Sequence, residues 1–168
     1  LVQRDRDHAT GQVRIELDRS GNAEFTILPE AAYDYLELSA QIEEKRSSAR
    51  IVYFGSLAQR TRHGRDFVKS LVAEKPSTAL CFYDVNLRPG CALREIVLPS
   101  LEYADIVKMN DDEMVEIRRM HGFAGDEPAF VDFLINTYGL KMLALTRGGR
   151  GSELFASGGG VKIEEHGD

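Results

Sequence analysis

Cysteine is scarce in this chain of 168 residues: Cys81 and Cys91 stand alone, too far apart for the C-x-x-C spacing of a metal or redox site. That scarcity points to a reduced, intracellular protein. No apolar run approaches the roughly 18 residues a membrane span requires, and the N-terminal segment is too charged for a signal peptide, so a soluble, cytoplasmic chain is expected. Lys and Arg nowhere alternate with aromatic residues, and the net charge of -6 is acidic. Both features argue against nucleic acid as a partner.

Other signatures are missing as well. There is no internal repeat and no low-complexity tract. The G-x-x-x-x-G-K-[ST] phosphate loop is absent, and no G-x-G-x-x-G follows the first apolar strand, so any nucleotide site must be built differently. The chain opens on Leu1 and stops at Asp168 without a helix or strand to finish either end; both ends read as cuts.

What is present suffices to bury one core, so one domain with an appendage is expected. Val13, Ile15 and Leu17 alternate with Arg14, Glu16 and Asp18, and after Ser20-Gly21-Asn22 the pattern resumes through Phe25 and Ile27. This predicts a hairpin with one face lying over something and the other in water, ended by Pro29. Residues 30–50 have helical composition and predict two short helices. Apolar runs at 51–54, 79–85, 106–109 and 142–145 read as strands, and amphipathic segments at 66–74, 93–101, 111–120 and Glu127–Tyr138 read as helices between them. Gly158-Gly159-Gly160 marks a turn between two short final strands. Alternation of this kind implies a mostly parallel sheet covered by helices on both faces, with ligands beyond the carboxyl ends of the strands.

Those ends carry the chemistry. The first runs into Gly55-Ser56, where glycine admits close backbone approach and Ser56 offers a hydroxyl; a tight turn would explain the pair equally well. The second ends in Asp84-Val85-Asn86-Leu87-Arg88, which the two-residue strand period places with Asp84, Asn86 and Arg88 on one face. Arg88 there can clamp a hydroxyl-rich or anionic ligand, while Asp84 can equally serve to hold Arg88. The third ends in Lys108-Met109-Asn110-Asp111-Asp112-Glu113, a helix start where Asn110 is a natural cap and Glu113 can reach a hydrated Mg²⁺. The fourth ends in Thr146-Arg147-Gly148-Gly149-Arg150-Gly151, offering amides and a hydroxyl for phosphate or forming a plain glycine turn.

Taken in order, Ala9-Thr10-Gly11-Gln12-Val13, Phe54-Gly55-Ser56-Leu57, Asp84-Val85-Asn86-Leu87-Arg88, Lys108-x-Asn110-x-x-Glu113 and Thr146-Arg147-Gly148 resemble the PfkB-type carbohydrate kinases, with wording closest to the fructokinases. The resemblance covers nearly the whole chain. It implies an α/β, ribokinase-like fold: residues 1–29 would form part of a small β lid and residues 30–168 a truncated sugar- and nucleotide-binding core. By the same resemblance, ATP and Mg²⁺ are the cofactors, with Glu113 holding Mg²⁺ through water. Asn110, Lys108, Thr146, Gly148, Gly149 and Gly151 would face the nucleotide. Asp84, Asn86 and Arg88 would lie near the sugar, with Gly55, Ser56 and Phe25 beside it.

The implied activity is transfer of the γ-phosphoryl of ATP to a sugar hydroxyl, on fructose or a related ketose, with a homodimer paired through the lid. The pattern departs from the family in two places: the N-terminal glycine-rich segment with its sugar-binding Asp, and the later G-A-G-D motif that supplies the anion hole and the base. No catalytic base is assigned, because His166-Gly167-Asp168 lacks a glycine-rich helix start. Two alternatives stand beside the kinase: a sugar- or nucleotide-binding protein without chemistry, and an inactive piece of such a kinase.

Overall fold

The structure, a computed structural model, describes residues 2–91 and 93–156. The expected turn at 158–160 and Asp168 lie outside the described residues. Strands β1 (Val13–Leu17) and β2 (Ala23–Ile27) form the expected antiparallel hairpin, with Val13 opposite Ile27 and Ile15 opposite Phe25. Its turn is held by the Asp18 carboxylate, which accepts from the amides of Ser20 and Asn22, and by Gly21 in the left-handed region at φ +82°.

The sequence asked that one hairpin face be covered, and the described residues do not cover it: Ile15 is 59% and Phe25 58% exposed. Among the described residues the base of the hairpin is where it is bonded to the core. There Ala9 bridges Ala31, and Arg60 donates to the Leu28 carbonyl at 2.9 Å. Gly11 is required at this base because a Cβ would fall 2.5 Å from the Tyr33 ring.

A 3-10 turn (Ala32–Tyr35) and helix α1 (Ala40–Ser47) follow, the two short helical pieces foreseen for 30–50. The main sheet then runs β3 (Ile51–Gly55), β4 (Leu80–Asp84), β5 (Ile106–Asn110) and β6 (Met142–Thr146), parallel and side by side in chain order, with β7 (Ser152–Ala156) antiparallel at the far edge. The crossovers contain α2 (Arg62–Ala73), α3 (Arg94–Tyr103), and α4 (Asp111–His121) with α5 (Glu127–Tyr138).

Helix α2 starts four residues ahead of the expected 66, because the Thr61 hydroxyl caps the Gly64 amide at 3.0 Å. Gly64 fits nowhere with a side chain: its Cβ would sit 1.9 Å from the Ala58 carbonyl oxygen. Helix α5 has the expected bounds, capped by Asp126 and ended by Gly139 at φ +64°.

Strand alternation sorts the sheet into two unlike faces. Val52, Phe54, Cys81, Tyr83, Val107, Met109, Leu143 and Leu145 share one face and are all buried. The core of that face is completed by Val68 and Val72 of α2, Val97 and Leu101 of α3, Ile117 of α4 and Phe130 and Leu134 of α5. Burying such side chains stabilises by about 1.5–3 kcal/mol each, so this face dominates the stability of the unit. The opposite face carries Ile51, Tyr53, Leu80, Phe82, Ile106 and Met142, none of them buried among the described residues. No helix of the described residues is long and apolar enough to cross a membrane.

Candidate functional site

The carboxyl ends of β3 to β6 bring the sequence candidates to one edge of the sheet. Gly55 pairs in register with Asp84, Asp84 with Lys108, and Asn110 with Thr146. The acceptor-side and nucleotide-side candidates therefore occupy neighbouring strands.

Asp84 lies on the bare face, where it takes the Lys108 ammonium at 3.0 Å and the Tyr53 hydroxyl at 2.7 Å. The hydrogen bond to Asp84, reinforced by burial, pushes the Tyr53 pKa up. Arg88 is not the partner of Asp84, as the sequence allowed it to be; Lys108 reaches the carboxylate first because parallel register sets it directly alongside.

The single face expected for Asp84, Asn86 and Arg88 is also corrected. The strand stops at Asp84, and Asn86 turns into the left-handed region at φ +37°, which breaks the two-residue alternation. Asn86 and Arg88 are exposed in the turn beyond.

Ser56, offered by the sequence as a ligand contact, is fully buried. Its Oγ lies 2.6 Å from the Tyr83 hydroxyl and donates to the Val85 carbonyl at 2.6 Å. Burial pushes the Tyr83 pKa up to about 12, with the Ser56 contact pulling the other way. Gly55 is close-packed, since a Cβ there would stand 3.1 Å from the Asp84 carbonyl oxygen. Phe25 lies out on the hairpin, on its bare apolar face.

At the start of α4, Asn110 and Glu113 form a capping box: Asn110 Oδ1 accepts from the Glu113 amide and Glu113 Oε2 accepts from the Asn110 amide, each at 2.9 Å. Glu113 is only 6% exposed, and its Oε1 accepts from the Leu87 amide at 2.8 Å. Among the described residues no group of three or more His, Cys, Asp or Glu could cage a metal ion. The donor set fits Mg²⁺ only as a hydrated ion brought by phosphates and touched through water, the usual habit of that ion.

The β6–β7 connection begins with the Thr146 hydroxyl donating to the Met109 carbonyl at 3.4 Å. A 3-10 turn (Gly148–Arg150) follows, closed by the Arg147 amide on the Gly151 carbonyl, with Gly148 and Gly151 at positive φ. Among the described residues nothing stands within 4 Å of where a Cβ would be on Gly148 or Gly149, so these residues leave the space above the two glycines open. Arg147, given no role by the sequence, fixes this turn by reaching Asp111, Glu127 and Glu153 at 2.6, 2.5 and 2.9 Å. The bonds to Glu127 and Glu153 raise its pKa further.

A cleft of about 430 Å³ opens beside the Arg88 turn, lined by Pro89 and Gly90 on one side and by Pro29, Glu30, Asp34 and Arg60 on the other. Arg60 and Asp34 are a second pair the sequence missed. The guanidinium donates through Nε to Asp34 at 2.6 Å and lies 4.9 Å over the Tyr33 ring. Only the partner's distance in sequence, 26 residues, hid it. A larger hollow of about 590 Å³ lies along α3, lined by Leu93, Arg94, Glu95, Leu98 and Pro99, and includes none of the strand-end candidates.

The family model for pfkB family carbohydrate kinases matches residues 1–166. Fructokinase-2 of Zea mays is 29% identical over 159 residues, covering 90% of this chain and 46% of that protein. The chain thus spans about half the length of that relative. The crystal structure of a fructokinase from Xylella fastidiosa matches 95% of this chain and 52% of its own at a TM-score of 0.77 and 19% identity. A fructokinase from Vibrio cholerae, solved with fructose, ADP and calcium ion, matches 98% and 53% at a TM-score of 0.71 and 18% identity. These likenesses establish the α/β, ribokinase-like fold with its small β lid. From the extent of the family match, this chain belongs to the pfkB family of carbohydrate kinases.

Proposed function

We propose that the chain forms the phosphate- and acceptor-facing part of an ATP-dependent sugar kinase that transfers the γ-phosphoryl group to a hydroxyl of fructose or a related ketose. The observation that supports this most is the register of neighbouring strand ends: Asp84 beside Lys108, and Asn110 beside Thr146. In this reading Asp84 is an acceptor-side group next to Lys108 on the phosphate side, and phosphoryl transfer relies chiefly on such positioning and charge neutralisation.

In this reading the open amides of Gly148 and Gly149, with Gly151, Thr146, Asn110 and Lys108, receive the nucleotide. Arg88, Asn86 and Asp84 face the sugar beyond Gly55. Ser56 supports that side from beneath, and Phe25 covers the sugar as the lid descends. Mg²⁺, when bound with ATP, neutralises phosphate charge, and Glu113 meets its water shell. The proton-accepting carboxylate is supplied by a G-A-G-D segment, and the bare lid face pairs with a second copy. A cytoplasmic setting follows from the substrates.

The test is ADP release from MgATP with fructose and a panel of other sugars. Release that depends on the sugar is expected from a polypeptide carrying this chain together with a G-A-G-D segment, and none from this chain alone. Release indifferent to every sugar overturns the reading, and tight binding without release supports a binding protein instead. Arg88→Ala is expected to abolish sugar-dependent release while ADP binding by calorimetry is retained.

A further inference from the structure

We infer that Glu113 is a positioning residue for the Asn86-Leu87-Arg88 turn, acting on the acceptor side of the site as well as on its own helix. The inference builds on the kinase reading only in naming that turn the acceptor side.

The carboxylate is nine-tenths buried and divides its oxygens between two elements. Oε2 accepts from the Asn110 amide of its own cap, and Oε1 accepts from the Leu87 amide, 26 residues earlier in the chain. A capping box requires only the first of these bonds. The second crosses from α4 to the turn after β4, and it falls between two residues whose placement the acceptor site needs, Asn86 and Arg88.

That turn requires outside support. Asn86 holds φ at +37°, a conformation that costs a non-glycine residue energy unless its surroundings fix it. The segment is pinned from three directions: the Ser56 hydroxyl takes the Val85 carbonyl at 2.6 Å, the Val85 amide donates to the Lys108 carbonyl at 3.0 Å, and Glu113 takes the Leu87 amide at 2.8 Å. The first two hold the residue before Asn86. Glu113 holds the one after it, so the left-handed residue sits between two fixed points and the direction in which Arg88 leaves is set.

Such a bond to a buried charged acceptor is stronger than a neutral one, so losing it should be felt locally. The geometry also explains why Glu and not Asp stands here. Asp at this position still caps a helix but is one methylene too short to reach Leu87 as well.

The test is amide hydrogen exchange and nitrogen relaxation on this chain, comparing wild type, Glu113→Asp and Glu113→Gln. In Glu113→Asp the Leu87 amide is expected to exchange roughly ten- to hundredfold faster, and Asn86 to Arg88 to gain fast motion, while amides of α4 and core amides such as Val107 stay protected. Glu113→Gln should do the same, because its one accepting oxygen serves the cap at Asn110, as Gln does in a capping box, and its amide nitrogen then faces the Leu87 N–H. Loosening confined to the first turn of α4, with Leu87 unchanged, would show a cap only and overturn the inference. Should either variant unfold, a through-hydrogen-bond scalar coupling between the Leu87 amide nitrogen and the Glu113 carboxyl carbon in wild type supports it, and absence of that coupling overturns it. Neither sugar nor nucleotide is present in these measurements, so their failure is separate from failure of the kinase assay. In an active polypeptide, Glu113→Asp is expected to raise the KM for fructose severalfold more than that for MgATP.

Discussion

The two faces of the main sheet are built from the same strands and behave differently. On the helix-covered face Cys81, Tyr83, Val107, Met109, Leu143 and Leu145 are all fully buried, whereas Ile51 and Tyr53, which alternate with buried Val52 and Phe54 along β3, are 57% and 63% exposed. Stability resides on the first face. On the second lies the Tyr53–Asp84–Lys108 group. What the strands bury fixes the fold, and what they leave bare positions polar groups near the site.

The sharpest way to break this comparison is to truncate one residue from each face. Leu143→Ala should cost about 2–5 kcal/mol from the lost contacts and the cavity left behind, and Ile51→Ala less than about 1 kcal/mol, read from urea unfolding midpoints. Equal costs would mean that the bare face is covered in solution. Next in size is Arg147→Ala. The guanidinium is 13% exposed and holds three carboxylates, but Glu127 is 42% exposed, so after solvent screening a loss of about 1–2 kcal/mol is expected. The same variant should speed amide exchange around Gly148 to Gly151.

Tyr83 sharpens the comparison through pH. Burial raises its pKa from 10.0 to about 12, so the neutral form is favoured in the folded state. Its contribution is complete below pH 10 and is lost as pH rises to about 12. Tyr83→Phe should flatten that alkaline decline in thermal melts. The smallest effect belongs to Asp105, half-buried at the other end of the strands. Burial pushes its pKa up, but the Cys81 amide at 2.8 Å and Lys141 at 3.0 Å outweigh it and hold the value below 3.8. That contribution is present above pH 3.8 and fades as pH falls through the lower folded value. Asp105→Asn should remove a shallow acid slope and little else.

Sequence patterning disclosed local structure well and contacts across the chain poorly. Alternation found the hairpin, apolar runs found β3 to β6, and amphipathic spacing found α5 with its bounds. Asn110 was legible as a cap because capping is local. The Glu113 bond to Leu87, the Ser56 bonds to Tyr83 and Val85, and the Arg60–Asp34 pair were not, because each joins residues 26–29 apart. Extending the strand period past Asp84 failed at Asn86, whose left-handed backbone no periodicity announces. Lys108 was placed with the nucleotide by family pattern, while parallel register pairs it with Asp84.

The order of the main sheet is also the order of the chain, β3 to β7, each strand laid beside its predecessor. A ribosome delivers residues in that same direction at about 5–20 per second, so every strand after β3 emerges to find its neighbour already made. Assembly can then proceed as a series of short steps from one edge, with no strand inserted between two others. Among the described strands β3 is the one whose outer side stays open while the rest is added.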